Sequence, residues 1–216
     1  MFFDEIYSQP DVIIETAQSV TAQIAQLSLL RRNPQRIIFT GMGSSASAVY
    51  PSVLRLIEYG TDARIIEASE LLYYQAKILT PDTLLIIVSQ SGRSDDVRQV
   101  IDDAKAQGAL TLAITNAPDS PLAQNAAHHL DIGAGEERSV AATKTYTAQL
   151  AAMALLTAAL SRDEARFGEL AGMPGQIAAT LEASGEVARH AQRYRYMSYC
   201  VALGRGFNFA TAFEIN

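Results

Sequence analysis

The clearest feature in the chain's pattern of apolar and polar positions is an uninterrupted aliphatic run of five residues, Leu84–Val88. Such a run is too short for a buried helix, and its β-branched content favours a strand that is covered on both faces. Similar short apolar segments occur at Arg36–Thr40, Ala63–Ala68, Ala109–Thr115 and His129–Ile132. Because helical segments alternate with these strands, the pattern predicts a doubly wound α/β fold, with a five-stranded parallel sheet in a three-layer α-β-α arrangement.

Segments with helical periodicity flank and connect the strands. Asp11 is the expected N-cap of a helix that runs to about Arg32 and ends at Asn33-Pro34. The alanine-rich segment Thr145–Leu160 is apolar nearly all round, so we expect it to be a buried helix. These boundaries predict three regions in order: an N-terminal helical arm (1–33), an α/β domain (34–160) and connecting helices (161–195).

A second copy of the first strand and its turn occurs near the end of the sequence. Ser198–Gly206, SYCVALGRG, repeats the plan of residues 36–43, RIIFTGMG, and Asn208–Glu214 again reads as a turn into a helix. The repeat predicts that residues 196–216 begin an incomplete second domain of the same kind. An apolar strand that stops there has no covering partners, so we expect a fragment, or a shortened product, of a two-domain chain.

A cluster of small polar side chains follows Leu84–Val88 and precedes a helix predicted over Asp95–Gln107. Its members are Ser89, Gln90, Ser91, Gly92 and Ser94. In a parallel sheet this is the carboxyl end of a strand, where ligands bind. Hydroxyls, an amide and a helix N-terminus together favour an anion, above all a phosphate monoester. The alternative is a polar turn in which Ser94 is only the N-cap of the helix.

A glycine-rich turn, GMGSSA, follows the strand at Arg36–Thr40. Its glycines, Gly43 among them, let the backbone approach a ligand, and Ser44 and Ser45 add hydroxyls. The third glycine of the dinucleotide fingerprint is an alanine here, and such turns also bind phosphate without a nucleotide. Glu67 has the spacing of the acidic residue that holds a ribose hydroxyl, so a dinucleotide site is the alternative interpretation.

A third polar loop, GAGEERSVAATKTY, precedes the alanine-rich helix. Either Thr143 or Thr145 is a candidate N-cap of that helix. Glu136 and Glu137 are candidate catalytic carboxylates, although a solvated pair is the simpler interpretation. Lys144 is either a cation near the ligand or a surface lysine at a helix start.

Composition excludes several classes of function. The formal net charge is −6, from 17 basic and 23 acidic residues, so a cationic surface for nucleic acid is not expected. No apolar run approaches the roughly 18 residues of a membrane span, and no signal-peptide pattern begins the chain. We therefore expect a cytoplasmic protein without membrane contacts. The single cysteine, Cys200, lies in an apolar stretch and is expected to be a buried, inert thiol.

No metal or cofactor site is predicted. His128 and His129 are adjacent, so in a strand they point to opposite faces and cannot share a metal ion. No spacing of acidic residues, histidines and cysteine is typical of a metal site. No Ser/His/Asp triad is visible either.

Three of the motifs together resemble the sugar isomerase (SIS) family, and more narrowly its tandem-domain members. SQSGRSDD is similar to the family's phosphate loop, S-x-S-G-x-[ST]. ERSVAATKTYTAQ resembles E-x-x-V-A-[ST]-T-K-x-[FY]-T-x-Q, and GRGFNFATAFE resembles G-R-G-x-x-[YF]-x-x-A-x-E. The resemblance covers residues 34–160 as a full first SIS domain and 196–216 as the opening of a second.

The resemblance implies which residues bind a sugar phosphate. The phosphate contacts it implies come from Ser45, Ser89, Gln90, Ser91 and Ser94. The sugar contacts it implies come from Gly43 and Ser44 and from the backbone near Val140 and Ala142. The family's proton-transferring glutamate lies about two turns beyond the position of Glu214, so no catalytic residue is assigned here.

The resemblance leaves two functions open. One is aldose–ketose isomerisation or deamination of an amino-sugar phosphate, of the glucosamine 6-phosphate or fructose 6-phosphate class, by a protein whose second SIS domain is needed for turnover. The other is a module that senses sugar phosphates without chemistry. Ala142 replaces a serine common in relatives that isomerise fructose 6-phosphate, and Arg93 replaces a glutamate, so the sugar stays open. Because SIS sheets usually associate, we expect a homodimer.

Overall fold

The computed structural model describes residues 2–31 and 34–215 of the chain. The strands in chain order are β1 (Arg36–Thr40), β2 (Asp62–Ile65), β3 (Thr83–Val88), β4 (Leu110–Thr115) and β5 (His128–Asp131). The helices are α1 (Phe2–Tyr7), α2 (Gln9–Ile24), α3 (Ser44–Glu58), α4 (Ala68–Glu70), α5 (Asp95–Ala106), α6 (Pro121–Asn125), α7 (Lys144–Ser161), α8 (Glu164–Ala171), α9 (Met173–Glu182), α10 (Ser184–Ala191) and α11 (Asn208–Ile215).

All five strands are parallel and form one sheet in the order β2-β1-β3-β4-β5. Every residue of β3 is buried, as expected for a central strand with helices on both faces. The strand order reverses between β1 and β3, so the loops at their carboxyl ends leave a crevice between them. The predicted five-stranded parallel sheet is confirmed, and its topology determines where a ligand can enter.

A hydrophobic core lies on each face of the sheet, between the sheet and a layer of helices, because successive strand residues point to opposite faces. Leu84 and Ile86 face the core beneath α2, α3 and α7. Leu85 and Ile87 face the core beneath α4, α5 and α6. The alanine-rich segment forms α7, which is buried along most of its length as its composition predicts.

The N-terminal arm is divided into two helices instead of one. Pro10 occupies the first turn of α2, a position that proline tolerates because the amide there has no helical partner. The helix ends at Ile24, and a 3₁₀ turn covers Ser28–Arg31. The expected end at Asn33-Pro34 falls partly outside the described residues.

The chain between β2 and β3 forms several short helical pieces instead of one helix. The segment after α4 consists of a π turn, Leu71–Gln75, and a 3₁₀ turn, Ala76–Ile78. Glu67 is the N-cap of α4, and its carboxylate accepts from the amides of Ser69 and Glu70. Because that carboxylate caps the helix, the structure gives no support to its role as a ribose acceptor.

The second apolar strand predicted near the end of the chain does not form. Ser198–Gly206 has no regular secondary structure, and Tyr199 and Leu203 are 86% and 90% exposed. Strands need hydrogen-bonded neighbours, and no strand of the described sheet pairs with this segment. The helix predicted to follow it is confirmed as α11, whereas Cys200 is exposed instead of buried.

Among residues 2–31 and 34–215, none of the helices has the combination of length and apolar composition that crossing a bilayer requires.

Candidate functional site

The loops that follow β1 and β3 meet at the crevice between those strands. A cavity of about 180 Å³ opens there. The predicted phosphate-binding residues all line it: Ser45, Ser89, Gln90, Ser91 and Ser94. A second cavity, of about 260 Å³, shares Met42, Ser45 and Gln90 with the first, and we call the two together the cleft. Residues from two separate loops therefore converge on one space.

The second cavity contains most of the residues expected to contact a sugar. Those that line it are Ser44, Val140 and Ala142. Gly43 lies elsewhere, because it lines a separate cavity of about 340 Å³ with Phe209 and Phe213 of α11. Its φ of 53° is a positive value that glycine adopts more easily than other residues, so Gly43 allows the turn from β1 into α3 without reaching the cleft.

The β3–α5 loop (residues 89–94) is held in shape by hydrogen bonds of its backbone, both within the loop and with the segment that follows β4. Ser89 Oγ accepts a hydrogen bond from Gly92 N over 3.1 Å, and Ser91 Oγ accepts one from Arg93 N over 3.4 Å. A hydroxyl that accepts from an amide still has its own proton to donate. The loop can therefore offer O–H donors to a ligand without changing its conformation.

Ser94 occupies the N-cap position of α5, but its hydroxyl makes no capping hydrogen bond. The side chain is exposed and lines the 180 Å³ cavity. The first four amides of a helix have no partner within that helix, and α5 begins at the next residue. Free hydroxyls beside a helix N-terminus make this end of the cleft suited to an anion.

Two serines at the start of α3 are oriented by other helices. Ser45 is buried, and Gln149 of α7 donates to its Oγ over 3.1 Å. Ser44 Oγ donates to Glu214 Oε1 of α11 over 2.6 Å. The hydroxyls on this side of the cleft are therefore held by α7 and α11, and Glu214 places a carboxylate beside Ser44.

The β5–α7 loop (residues 132–143) carries Val140 and Ala142 and has no regular secondary structure. Near its start it is held by Asn116, which follows β4. The Asn116 side chain accepts from Ala134 N over 2.8 Å and donates to the carbonyl of Gly135 over 2.7 Å. One side chain from a neighbouring strand end therefore fixes the backbone of two adjacent residues of this loop.

Glu137 holds the end of the β5–α7 loop. Its carboxylate accepts from Thr143 N over 2.7 Å and Thr143 Oγ1 over 2.6 Å, and also from the hydroxyl of Thr145. Thr143 is the N-cap residue of α7, but Glu137 performs the capping, since neither threonine side chain does. The expectation of a solvated acidic pair is correct for Glu136, which forms an exposed ion pair with Arg138, and wrong for Glu137.

The middle of the β5–α7 loop is held by a residue that the sequence did not suggest. Glu5 of α1 is only 7% exposed, and it accepts from Arg138 N over 2.6 Å and from Ser139 N over 3.2 Å. The Ser139 hydroxyl also donates to it. The hydrogen bond from the Arg138 amide has the largest effect on the pKa of Glu5, and that from the Ser139 hydroxyl the next largest. Both keep this pKa below its usual range. No local pattern could reveal this contact, because the partners are 133 and 134 residues apart in the chain.

The other charged candidates do not line the cleft. Lys144 lines neither of its cavities. His129 bonds Thr115 Oγ1 over 2.9 Å, and burial lowers the pKa of its imidazole. In the parts of the chain that the structure describes, no group of three or more His, Cys, Asp or Glu side chains is placed to hold a metal ion. The cleft thus presents neutral hydroxyls and amides at the end suited to an anion.

The sequences of two relatives align with nearly the whole chain. It is 32% identical over 216 residues to glutamine–fructose-6-phosphate aminotransferase (isomerizing) of Pyrococcus horikoshii, an alignment that covers 97% of this chain and 36% of the relative. The corresponding protein of Aquifex aeolicus is 30% identical over 212 residues, with the same two coverages. The chain therefore spans about a third of the length of the curated relatives it matches.

Solved structures agree with the fold. A crystal structure assigned as a phosphosugar isomerase of Silicibacter pomeroyi DSS-3 superposes with a TM-score of 0.85 at 31% identity, covering 98% of this chain and 65% of that one. The C-terminal domain of glucosamine-fructose-6-phosphate aminotransferase from Francisella tularensis gives a TM-score of 0.88 at 24% identity, covering 98% and 64%. The family model of the SIS domain matches residues 29–159, and the chain belongs to this family.

Proposed function

We propose that the cleft binds a hexose phosphate and that the chain is the substrate-binding half of an isomerase or deaminase acting on an amino-sugar phosphate. The substrate class is that of glucosamine 6-phosphate and fructose 6-phosphate. The names of the relatives, an aminotransferase of fructose 6-phosphate and a phosphosugar isomerase, support this class of ligand. The observation that carries the proposal is the convergence of four serine hydroxyls on one cavity, beside the N-terminus of α5.

The two cavities of the cleft divide the ligand between them in this proposal. The smaller one takes the phosphoryl group, which accepts hydrogen bonds from Ser89, Ser91 and Ser94. The larger one takes the sugar carbons, next to Ser44 and the backbone at Val140. Binding energy from the phosphoryl group then holds the carbon chain in a fixed position, which lowers the entropic cost of reaction at its far end.

Isomerisation transfers a proton between C1 and C2 of the sugar, and this transfer requires an acid–base group near those carbons. Glu137 is the carboxylate that lines the cleft among the described residues, and the amides and hydroxyls of Thr143 and Thr145 occupy its oxygens. We therefore assign to this chain the anchoring of the substrate and leave the proton transfer to groups outside the described cleft.

Equilibrium binding tests the ligand class. Glucosamine 6-phosphate and fructose 6-phosphate should bind in calorimetric titrations, and their unphosphorylated parents should bind far more weakly. Ser91→Ala should weaken binding of the phosphorylated sugars by roughly 10- to 150-fold, because a hydrogen bond to a charged group contributes roughly 1.5–3 kcal/mol. Ser28→Ala removes an exposed hydroxyl on the amino side of β1 and should have no effect. Equal binding by wild type and Ser91→Ala would refute the phosphate assignment.

A sensor without catalysis is the second candidate, because Glu137 is fully engaged in holding α7. Because this chain alone is expected to bind without turnover under either function, the two separate in an assay of the full-length protein that carries it, for ammonia release from glucosamine 6-phosphate and for interconversion of fructose and glucose 6-phosphates. Turnover supports the enzyme. Tight binding without turnover, under conditions in which the Pyrococcus horikoshii relative is active, supports the sensor.

A further inference from the structure

The first helix buries its carboxylate and exposes its aromatic rings. In α1, Glu5 is 7% exposed, whereas Phe2 and Phe3 are 44% and 70% exposed. Burial of a carboxylate is unfavourable unless hydrogen bonds replace its hydration, and burial of phenylalanine is favourable. A helix that docked by hydrophobic packing alone would present the opposite face. The orientation of α1 therefore depends on the partners of Glu5.

Those partners all belong to the β5–α7 loop, which lines the larger cavity of the cleft. Glu5 Oε1 accepts from Arg138 N over 2.6 Å, and Oε2 accepts from Ser139 N over 3.2 Å and from the Ser139 hydroxyl. Both carboxylate oxygens thus bind the two residues that directly precede Val140. Hydrogen bonds to a charged acceptor are about twice as strong as neutral ones, so this contact is suited to fixing a loop.

The loop has little else to hold it between its two ends. Val140 is fully exposed, and Ala141 and Ala142 are also exposed, so no burial of side chains positions these residues. Asn116 fixes the loop near its start, and Glu137 fixes it at Thr143. Between those two anchors the hydrogen bonds of Glu5 fix the backbone nearest to the cleft.

We propose that Glu5 is a positioning residue for the sugar: it holds the β5–α7 loop so that the backbone at Val140 and Ala142 is ordered before a ligand arrives. This role rests on the proposed function of the cleft. It couples the N-terminal arm to the sugar end of the site, so a displacement of α1 would loosen that end while the β3–α5 loop kept its conformation.

A purely structural role, in which Glu5 only docks the arm, predicts different behaviour. Tyr7 provides the comparison, because it lies on the same helix and its hydroxyl bonds Ser184 Oγ of α10 over 3.1 Å. Tyr7→Phe weakens the docking of α1 without touching the β5–α7 loop. If docking were all that mattered, Tyr7→Phe would also weaken binding, although less than Glu5→Ala because its hydrogen bond is exposed.

The test compares wild type, Glu5→Ala, Glu5→Gln and Tyr7→Phe by NMR titration with glucosamine 6-phosphate and with inorganic phosphate. Loss of a preordered loop should raise the Kd for glucosamine 6-phosphate about tenfold in Glu5→Ala, and less in Glu5→Gln, which keeps one acceptor oxygen. The Kd for inorganic phosphate, which needs the phosphate end of the cleft and not the β5–α7 loop, should stay the same in every variant. Tyr7→Phe should match wild type for both ligands.

Amide hydrogen exchange of the ligand-free protein gives an independent readout. Residues 138–142 should exchange faster in Glu5→Ala than in wild type, whereas residues 89–94 should not change. Equal losses of affinity for both ligands, or a loss of affinity in Tyr7→Phe as well, would reduce Glu5 to a docking residue. Failure of wild type to bind either ligand would instead overturn the proposed function, and with it the role of Glu5 toward a sugar.

Discussion

The two loops that border the cleft are held in place by different means. The β3–α5 loop is fixed by hydrogen bonds of its own backbone, within the loop from Gly92 N to Ser89 Oγ, and with the segment after β4 from Asn116 N to the Gln90 carbonyl and from Leu122 N to the Gly92 carbonyl. The β5–α7 loop is fixed by side chains from elsewhere, namely Asn116, Glu137 and Glu5. The first loop is therefore held wherever β3, β4 and the segment after β4 are formed. The second depends on the packing of the whole domain, including the N-terminal arm.

This difference predicts where substitutions act. A change within the β3–α5 loop should affect the loop and the stability of the sheet together, because its conformation is built into the connection between β3 and α5. A change in the β5–α7 loop's anchors should alter the sugar end of the cleft while the phosphate end persists. Three experiments separate these behaviours.

Gly92→Ala should have the largest effect. Gly92 has a φ of 60°, and a Cβ added there would lie 2.2 Å from Ser120 Oγ and 2.7 Å from Ser120 Cβ. Ser120 is buried and caps α6 by accepting from Ala123 N, so it cannot move away without losing that cap. Left-handed strain and the lost cap together should cost about 2–3 kcal/mol of unfolding free energy, measured by urea denaturation.

Gly185→Ala is the matched control for that substitution. Gly185 lies in α10, its φ is not positive, and an added Cβ meets nothing within 4 Å. Alanine favours a helix over glycine, so this variant should be as stable as wild type or more stable. If Gly92→Ala were equally harmless, and still bound glucosamine 6-phosphate, the β3–α5 loop would not have the rigidity described above.

The sequence predicted the residues of the β3–α5 loop that line the cleft. It missed the carboxylates that anchor the β5–α7 loop. Hydroxyls at Ser89 and Ser91, directly after an apolar strand, are a local pattern, and parallel topology then places them at the strand's carboxyl end. Glu5 and Glu137 look like solvated residues in the sequence. Their partners become visible only when α1 packs beside the β5–α7 loop and that loop folds back onto α7.

The secondary-structure elements likewise divide into those that the sequence predicted closely and one that it predicted wrongly. β1 and α7 were predicted closely because burial on the sheet determines their apolar patterns. The strand expected at Ser198–Gly206 was predicted from an equally apolar pattern, yet the structure shows an exposed, irregular segment there. A strand is defined by its neighbours, and a sequence pattern does not state whether a neighbour is present.

Glu137→Ala should have the second largest effect. The carboxylate satisfies the amide of Thr143 and both threonine hydroxyls at the start of α7, the most buried helix of the sheet's larger core. Removal leaves a helix start without its cap, which should lower the free energy of unfolding by roughly 1–2 kcal/mol in urea titrations.

Glu136→Ala, one residue away, is the control for Glu137→Ala. Its side chain is 70% exposed and forms an ion pair with Arg138 at the surface. Exposed pairs of this kind contribute roughly 0–1 kcal/mol, so this variant should remain close to wild type. Equal destabilisation by the two substitutions would show that Glu137 does not hold the loop end.

Acidification between pH 5 and pH 3 should produce the smallest of the three effects, at a few amides of the β5–α7 loop. Hydrogen bonds from the loop lower the pKa of Glu5, so its carboxylate stays charged at a pH where an unfolded glutamate, with a pKa of about 4.3, is already half protonated. The stabilising contribution of Glu5 is therefore fully present well above pH 4.3 and is lost as the pH falls through its lowered pKa. His129 acts at a higher pH and elsewhere in the fold: burial lowers its pKa, so its contribution to stability declines as the pH falls through about 6.5.

Amide exchange, corrected for the intrinsic pH dependence of the rate, can measure the two loops separately. Between pH 5 and pH 3, protection of residues 138–139 should fall relative to that of residues 89–94, because no carboxylate bonds the amides of Gly92 and Arg93. In Glu5→Gln, which cannot titrate, the residual protection at 138–139 should no longer change with pH in this way. A parallel decline in both loops of wild type would indicate global acid unfolding instead, and would remove the distinction between a loop held by its own backbone and one held by a distant carboxylate.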